Sequence, residues 1–232
     1  MDSGSTLDID REIVSEAQKD NPKALIIPTA SEDSSGYVEA FHETYGEHLG
    51  CDTKALTLTK KNYTEEKIEE MITEADIVYV GGGNTRKMIE IWRENNVDKY
   101  LEEAYENGTV MSGLSAGAIC WFEYGHSDSE SYETDNEWNF IQVEGLDFVS
   151  NVLFCPHYHR ENRESSFEEF MRDNPDKTGI AVDDNAAVKV KDGKIIALKS
   201  GEDGKAYIAD IVNEEFKRRE LSEGEQFPVE EL

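Results

Sequence analysis

Short apolar, β-rich runs alternate with helix-patterned stretches along most of this chain, and that alternation leaves few folds open. Residues 24–30 (ALIIPTA) and 75–80 (ADIVYV) are apolar in continuous runs rather than at every second residue, which suits strands buried on both faces. Residues 55–59 (ALTLT), 109–113 (TVMSG) and 151–156 (NVLFCP) read as further strands. Between them lie helical patterns. Tyr37 to Leu49 is one, and Thr64 caps a second with Glu65 and Glu66 in its first turn and Ile68, Met71 and Ile72 on one face. A third starts near Asn84 and carries Met88, Ile89 and Trp92. A fourth places Leu101, Ala104 and Tyr105 together and stops at Gly108, and Phe167, Phe170 and Met171 mark a short fifth. The expected fold is α/β, a mostly parallel sheet with helices on both faces. The C-terminal runs GIAVDD, AAVKV, KIIALK and AYIADIV, broken by Asp192-Gly193 and by Gly201 to Gly204, predict an antiparallel hairpin on the sheet edge. The acidic stretch from Glu220 to Leu232 reads as a loosely held tail.

With 232 residues, 38% of them hydrophobic, the chain can bury a core without disulfides or metals, and it shows no linker, repeat or low-complexity block. One domain spanning 1–232 is expected. No apolar run is long enough for a membrane helix, and the N-terminus lacks the basic and apolar regions of a signal peptide. Three cysteines (Cys51, Cys120, Cys155) without metal-ligand spacing favour a reducing cytoplasm. A net charge of −28 repels phosphate backbones and anionic lipids, so neither nucleic acid nor a membrane is expected as a partner. The same charge reads as a solvated coat or as adaptation to high salt, and abundant lysine gives the second no support.

Gly113-Leu114-Ser115-Ala116-Gly117 fits G-x-S-x-G at a strand-to-helix junction. Small neighbours let the backbone turn sharply there, the hydroxyl of Ser115 is pushed out, and the N–H groups that follow can hold an oxyanion. Gly81-Gly82-Gly83-Asn84 ends another strand and offers backbone N–H donors, although it matches neither common nucleotide motif. Of five histidines, His42 and His48 fall on an early helix with surface roles. His157 ends a strand at the carboxyl edge, where open α/β sheets place their sites. His159 and His126 are further candidates. Cys155-Pro156-His157-Tyr158-His159 lacks the partner pattern of a metal site, so no metal and no cofactor are expected.

Taken together, YVGGGNT, SGLSAGAICWF, GHSDS and CPHYH resemble peptidase family S51, which holds alpha-aspartyl dipeptidases (peptidase E) and, more distantly, cyanophycinases. The resemblance covers roughly residues 10 to 200. It implies a flavodoxin-like or class I glutamine amidotransferase-like fold, with Ser115 as nucleophile, His157 as its base, and oxyanion donors at Gly82, Gly83 and Ala116. It implies an acidic third member in the short loop from Glu123 to Glu133, best matched by Asp128, while counting from the serine favours Glu130. Arg163, in Glu161-Asn162-Arg163-Glu164, falls where the family reads a substrate aspartyl carboxylate, and Asn84 joins it as an expected substrate-binding residue. The chain opens with MDSGSTLDIDREI roughly where the family's first strand should end, so that strand is expected to be absent or replaced. The stretch after His157 is shorter than in the dipeptidases. The function expected is a cytoplasmic serine peptidase acting on short peptides, with N-terminal Asp favoured, as monomer or homodimer. Cyanophycinase-like cleavage of β-linked Asp–Arg material, or a non-catalytic binding protein of this fold, are the alternatives.

Overall fold

The computed structural model describes residues 6–132, 139–201 and 203–228. By its internal contacts the chain divides into two compact units. The first is chiefly residues 10–121, and the second is 122–232 with a short N-terminal piece.

The described chain starts in α1 (Leu7–Glu16). In the first unit, β1 (Lys23–Ile27) is followed by α2 (Ser35–Phe41), which runs on as a π-helical segment, His42–His48, to β2 (Asp52–Ala55). Then come α3 (Glu65–Thr73), β3 (Ile77–Val80), α4 (Thr85–Glu94), α5 (Val97–Glu106), β4 (Val110–Gly113) and the short α6 (Ala116–Ile119). The four strands form a wholly parallel sheet in the order β2-β1-β3-β4. Ala24, Ile26, Ile77 and Tyr79 pack on one side against Phe41 and Tyr45, whose rings stack at 4.4 Å. Side chains alternate across a strand, so the equally buried Leu25, Ile27, Val78 and Val80 face the opposite side. That is why 24–27 of β1 and all of β3 are apolar without a break. Tyr45 also donates from its hydroxyl to the buried Asp10 of α1 at 2.9 Å.

The capping chemistry read from sequence is present: Thr64 accepts from Lys67 N–H, and Asn84 from Lys87 N–H. Two expectations need correction. Tyr105 is 45% exposed, so the buried face of α5 is Val97, Leu101 and Ala104. The second strand lies three residues earlier than ALTLT. Asp33 draws residues 59 and 60 out of the sheet, its Oδ2 accepting from Thr59 N–H (2.5 Å), Thr59 hydroxyl (2.6 Å) and Lys60 N–H (3.1 Å).

The second unit contains β5 (Phe122–Ser127), β6 (Ile141–Glu144), β7 (Val149–Cys155), α7 (Glu164–Asp173) and β8 (Thr178–Val182). It continues with β9 (Ala186–Lys191), β10 (Lys194–Lys199), β11 (Ala206–Val212), β12 (Glu215–Leu221) and β13 (Gln226–Pro228). A six-stranded sheet runs β12-β11-β8-β7-β5-β6, parallel through β5, β7 and β8 and antiparallel outside them. A separate antiparallel sheet, β13-β10-β9, contains the hairpin that turns at Asp192-Gly193. Phe167 and Met171, one turn apart on α7, fill the core with Leu153, Cys155, Tyr158 and Tyr207. The stretch from Glu220 is not loose as far as Pro228. Leu221 is fully buried at the end of β12, and Phe227 is buried in β13, while 229–232 lie outside the described residues.

Candidate active site

Ser115 occupies a turn that only a constrained backbone would hold. Its φ of 55° and ψ of −117° lie in a region L residues rarely adopt, between the end of β4 and the start of α6. The glycines flanking it explain how the turn closes. A β-carbon at Gly117 would stand 2.1 Å from the Val80 carbonyl oxygen, and one at Gly113 2.4 Å from the Gly117 oxygen, so β3, β4 and the turn interlock as bare backbone. Ser115 is half-buried. The N–H groups of Gly117, Ala118 and Ile119 are bonded to Leu114 and Ser115 carbonyls, whereas that of Ala116, first in the helix, precedes the ladder.

The glycine loop after β3 lies beside this turn. Gly83 has φ 137° and a β-carbon there would collide with the Ala30 carbonyl. The ideal β-carbon position on Gly82 is 3.1 Å from Ser115 Cβ. Burial, partly offset by the neighbouring Gly82 N–H, raises the Tyr37 phenol above its ordinary range. Asn84 is buried, with its N–H on the Ala30 carbonyl at 2.9 Å and its side chain capping α4.

In the second unit, His157 leaves the end of β7 with φ 51° and its Nδ1 is 2.7 Å from Asp184 Oδ1. A carboxylate only accepts, so Nδ1 carries a proton, and in the neutral ring this leaves the lone pair on Nε2, the form a general base needs. The other oxygen, Oδ2, accepts from Arg160 Nη1 at 2.6 Å. Burial works against the Asp184 charge, but the bonds from His157 and Arg160 outweigh it and hold the carboxyl below its usual range. His159 makes a parallel pair with Asp183, Nδ1 lying 2.8 and 2.9 Å from the two carboxylate oxygens.

The carboxylate hydrogen-bonded to His157 is Asp184, which the sequence reading does not single out, while Asp128 acts on His157 only through its charge. Asp128 lies 4.0 Å from Arg163, and burial, only partly offset by that arginine, raises its carboxyl. Glu130 accepts from Asn139 Nδ2. The expected short loop from 123 is mostly β5 followed by a 3₁₀ turn at Ser129–Tyr132, and Glu133 lies outside the described residues.

Arg163 is 1% exposed and its guanidinium is engaged within the chain. Glu161 Oε2 takes Nε (2.9 Å) and Nη2 (2.5 Å), the His126 carbonyl takes Nη1 (2.6 Å), and the Phe140 ring lies 4.6 Å away. Arg163, expected to read a substrate carboxylate, is enclosed by these partners of its own unit. His126 is equally buried. Since a guanidinium only donates, its Nδ1, 3.4 Å from Arg163 Nη1, is the unprotonated nitrogen and Nε2–H donates to Ser166 Oγ at 2.8 Å. Burial first, then the Arg163 charge, lowers its pKa to about 3.

A cavity of about 530 Å³ in this unit is lined by His159, Asp183, Lys205, Tyr207, Arg218 and Glu220 among others. Arg218 lies over the rings of Tyr207 (4.7 Å) and Tyr158 (5.2 Å) and donates to the Tyr158 hydroxyl at 2.9 Å. Cations and anions share this wall and pair with one another, Lys205 with Glu220 at 3.6 Å and His159 with Asp183 at 2.8 Å.

A parallel α/β sheet with a strained serine elbow and a separate histidine–carboxylate pair is the framework of a hydrolase. The chain belongs to peptidase family S51, whose model matches residues 1–198. It is 34% identical over 203 residues to the uncharacterized peptidase YgaJ of Bacillus subtilis (strain 168), covering 87% of this chain and 84% of that one. Peptidase E of Nostoc sp. (strain PCC 7120) is 26% identical over 186 residues, covering 75% of this chain and 71% of that one. A cyanophycinase of Geminocystis herdmanii (strain PCC 6308) is 24% identical over 179 residues, covering 76% of this chain and 66% of that one. The crystal structure of a peptidase from an acI-B1 Actinobacterium shares the fold, with a TM-score of 0.74 at 17% identity over 97% of this chain and 91% of that one. No helix among the described residues is long and apolar enough to cross a membrane.

Proposed function

We propose that this member of a peptidase family is a serine peptidase of short peptides, with Ser115 as nucleophile, His157 as general base and Asp184 as the carboxylate that orients the imidazole. The observation that carries the reading is the Ser115 backbone, whose strained turn is what an exposed nucleophile at a strand end requires. The 2.7 Å Asp184–His157 bond supports it by fixing the tautomer that can take the serine proton. In this chemistry Ser115 Oγ bonds to the scissile carbonyl carbon and its proton passes to His157. Collapse expels the amine with that proton, and water then releases the acyl group by the same steps reversed. Backbone N–H of Ala116 and the glycine loop stabilise the oxyanion.

A preference for N-terminal Asp comes from the family resemblance, and Arg163 serves it only if Glu161 gives up the guanidinium. Treatment with a fluorophosphonate followed by peptide mapping tests the nucleophile. Modification at Ser115, absent in Ser115→Ala, is expected, while a chain that takes no label overturns the reading.

A further inference from the structure

Tyr37 has no part in the serine, histidine and carboxylate scheme, yet its phenol stands at the elbow. Measured from the ideal β-carbon position on Gly82, the Tyr37 hydroxyl is 3.0 Å away and Ser115 Cβ 3.1 Å away. The hydroxyl and the nucleophile's Cβ therefore both border Gly82. The ring is located by what it touches: its Cδ1 and Cε1 lie 3.5 and 3.7 Å from the corresponding point on Gly81, and both Tyr37 and Leu114 pack on the Phe41–Tyr45–Tyr79 cluster. Phe41, one turn further along α2, is fully buried and fixes the helix.

The Gly82 N–H lies beside the phenol. A backbone N–H only donates, so the phenol meets it with its oxygen and keeps its own O–H for another acceptor. We propose that Tyr37 is a catalytic oxyanion donor, its O–H, beside Gly82 and Ser115, given to the oxygen that becomes negative when Ser115 attacks. This rests on the serine-peptidase reading above. As the Ser115 Oγ–carbon bond forms and the serine proton moves to His157, the carbonyl π pair becomes the oxyanion lone pair. Tyr37 shares its proton with that oxygen without losing it, and when the C–N bond breaks the pair returns to the carbonyl. A phenol is a better donor than a backbone amide. Its raised pKa keeps the phenol protonated across the neutral range.

Tyr37→Phe keeps the ring and removes the donor. Two quantities are compared with the parent chain: kcat and KM on the best dipeptide of a panel, and the rate of fluorophosphonate labelling at Ser115. The expected result is a fall in kcat and in labelling rate on the order of 10²-fold, with KM within a few-fold and an unchanged melting temperature. Equal rates overturn the proposal and leave Tyr37 as packing. Faster turnover in Tyr37→Phe or Tyr37→Ala also overturns it, because the phenol is then a plug over the donor. If the parent is not labelled at Ser115 and Ser115→Ala retains activity, the serine reading fails and this inference fails with it. Labelling of the parent with no effect of Tyr37→Phe refutes this inference alone.

Discussion

Asp184 accepts the Nδ1 proton of His157 at 2.7 Å, from a position 27 residues later in the chain. Asp184→Asn should depress turnover by about 10⁴-fold, because a carboxamide neither fixes the tautomer nor stabilises the imidazolium. Asp128→Asn and Glu130→Gln should stay within about tenfold of the parent, since these groups are engaged by Arg163 and Asn139. Steady-state kinetics on the three variants decides it, and the largest loss at Asp128 would return the orienting role to that residue.

The reason Asp184 was hidden lies in the pairing of β7 with β8. Their parallel register sets Cys155 opposite Ala181, and Tyr158 N–H bonds the Val182 carbonyl, so both chains leave the sheet at the same edge. His157 and Asp184 emerge there as neighbours, a relation that needs the strand order and not only the spacing. The available clue was the Asp183-Asp184 pair directly after GIAV, on the carboxyl edge that singled out His157. The local features were legible because they are set by adjacent residues: the Thr64 and Asn84 caps, the unbroken apolar strands and the Ser115 turn. Strand β2 was misplaced because Asp33, 26 residues before Thr59, decides where the chain leaves the sheet. Strand β12 does not read as a strand in the sequence because its exposed, charged residues on both faces (Glu215, Lys217, Arg218, Arg219, Glu220) give it the composition of a tail.

Arg163→Ala is expected to unsettle the fold rather than to change substrate preference. It strips the partner from Glu161 and the donor from the buried His126 carbonyl, a change worth about 3–5 kcal/mol when a buried ion pair loses one member. Denaturant melts should show that loss, and hydrolysis of Asp-X and Asn-X dipeptides should fall together. Selective loss on Asp-X with unchanged stability would show instead that Arg163 reads the substrate.

His126 makes stability depend on acid in a defined window. The folded chain holds its pKa at about 3, whereas an unfolded histidine titrates near 6.5, so between these values only the unfolded state takes up the proton. The contribution of the neutral ring is fully present above about pH 6.5 and is lost as the pH falls towards 3, at about 1.4 kcal/mol per unit. Unfolding free energies of the parent and His126→Asn measured from pH 7 to pH 4 should differ in slope, the variant being flatter. Identical slopes would mean that the ring is protonated in the fold.

The nucleophile is the centre of the account, and turnover by Ser115→Ala tests it most directly. Alanine keeps the volume of the turn while removing the oxygen that attacks. On a dipeptide panel that the parent hydrolyses, the variant should lose on the order of 10⁴–10⁶ in kcat with its melting temperature unchanged. A folded Ser115→Ala chain that hydrolyses the same dipeptides at the parental rate would contradict the serine mechanism outright.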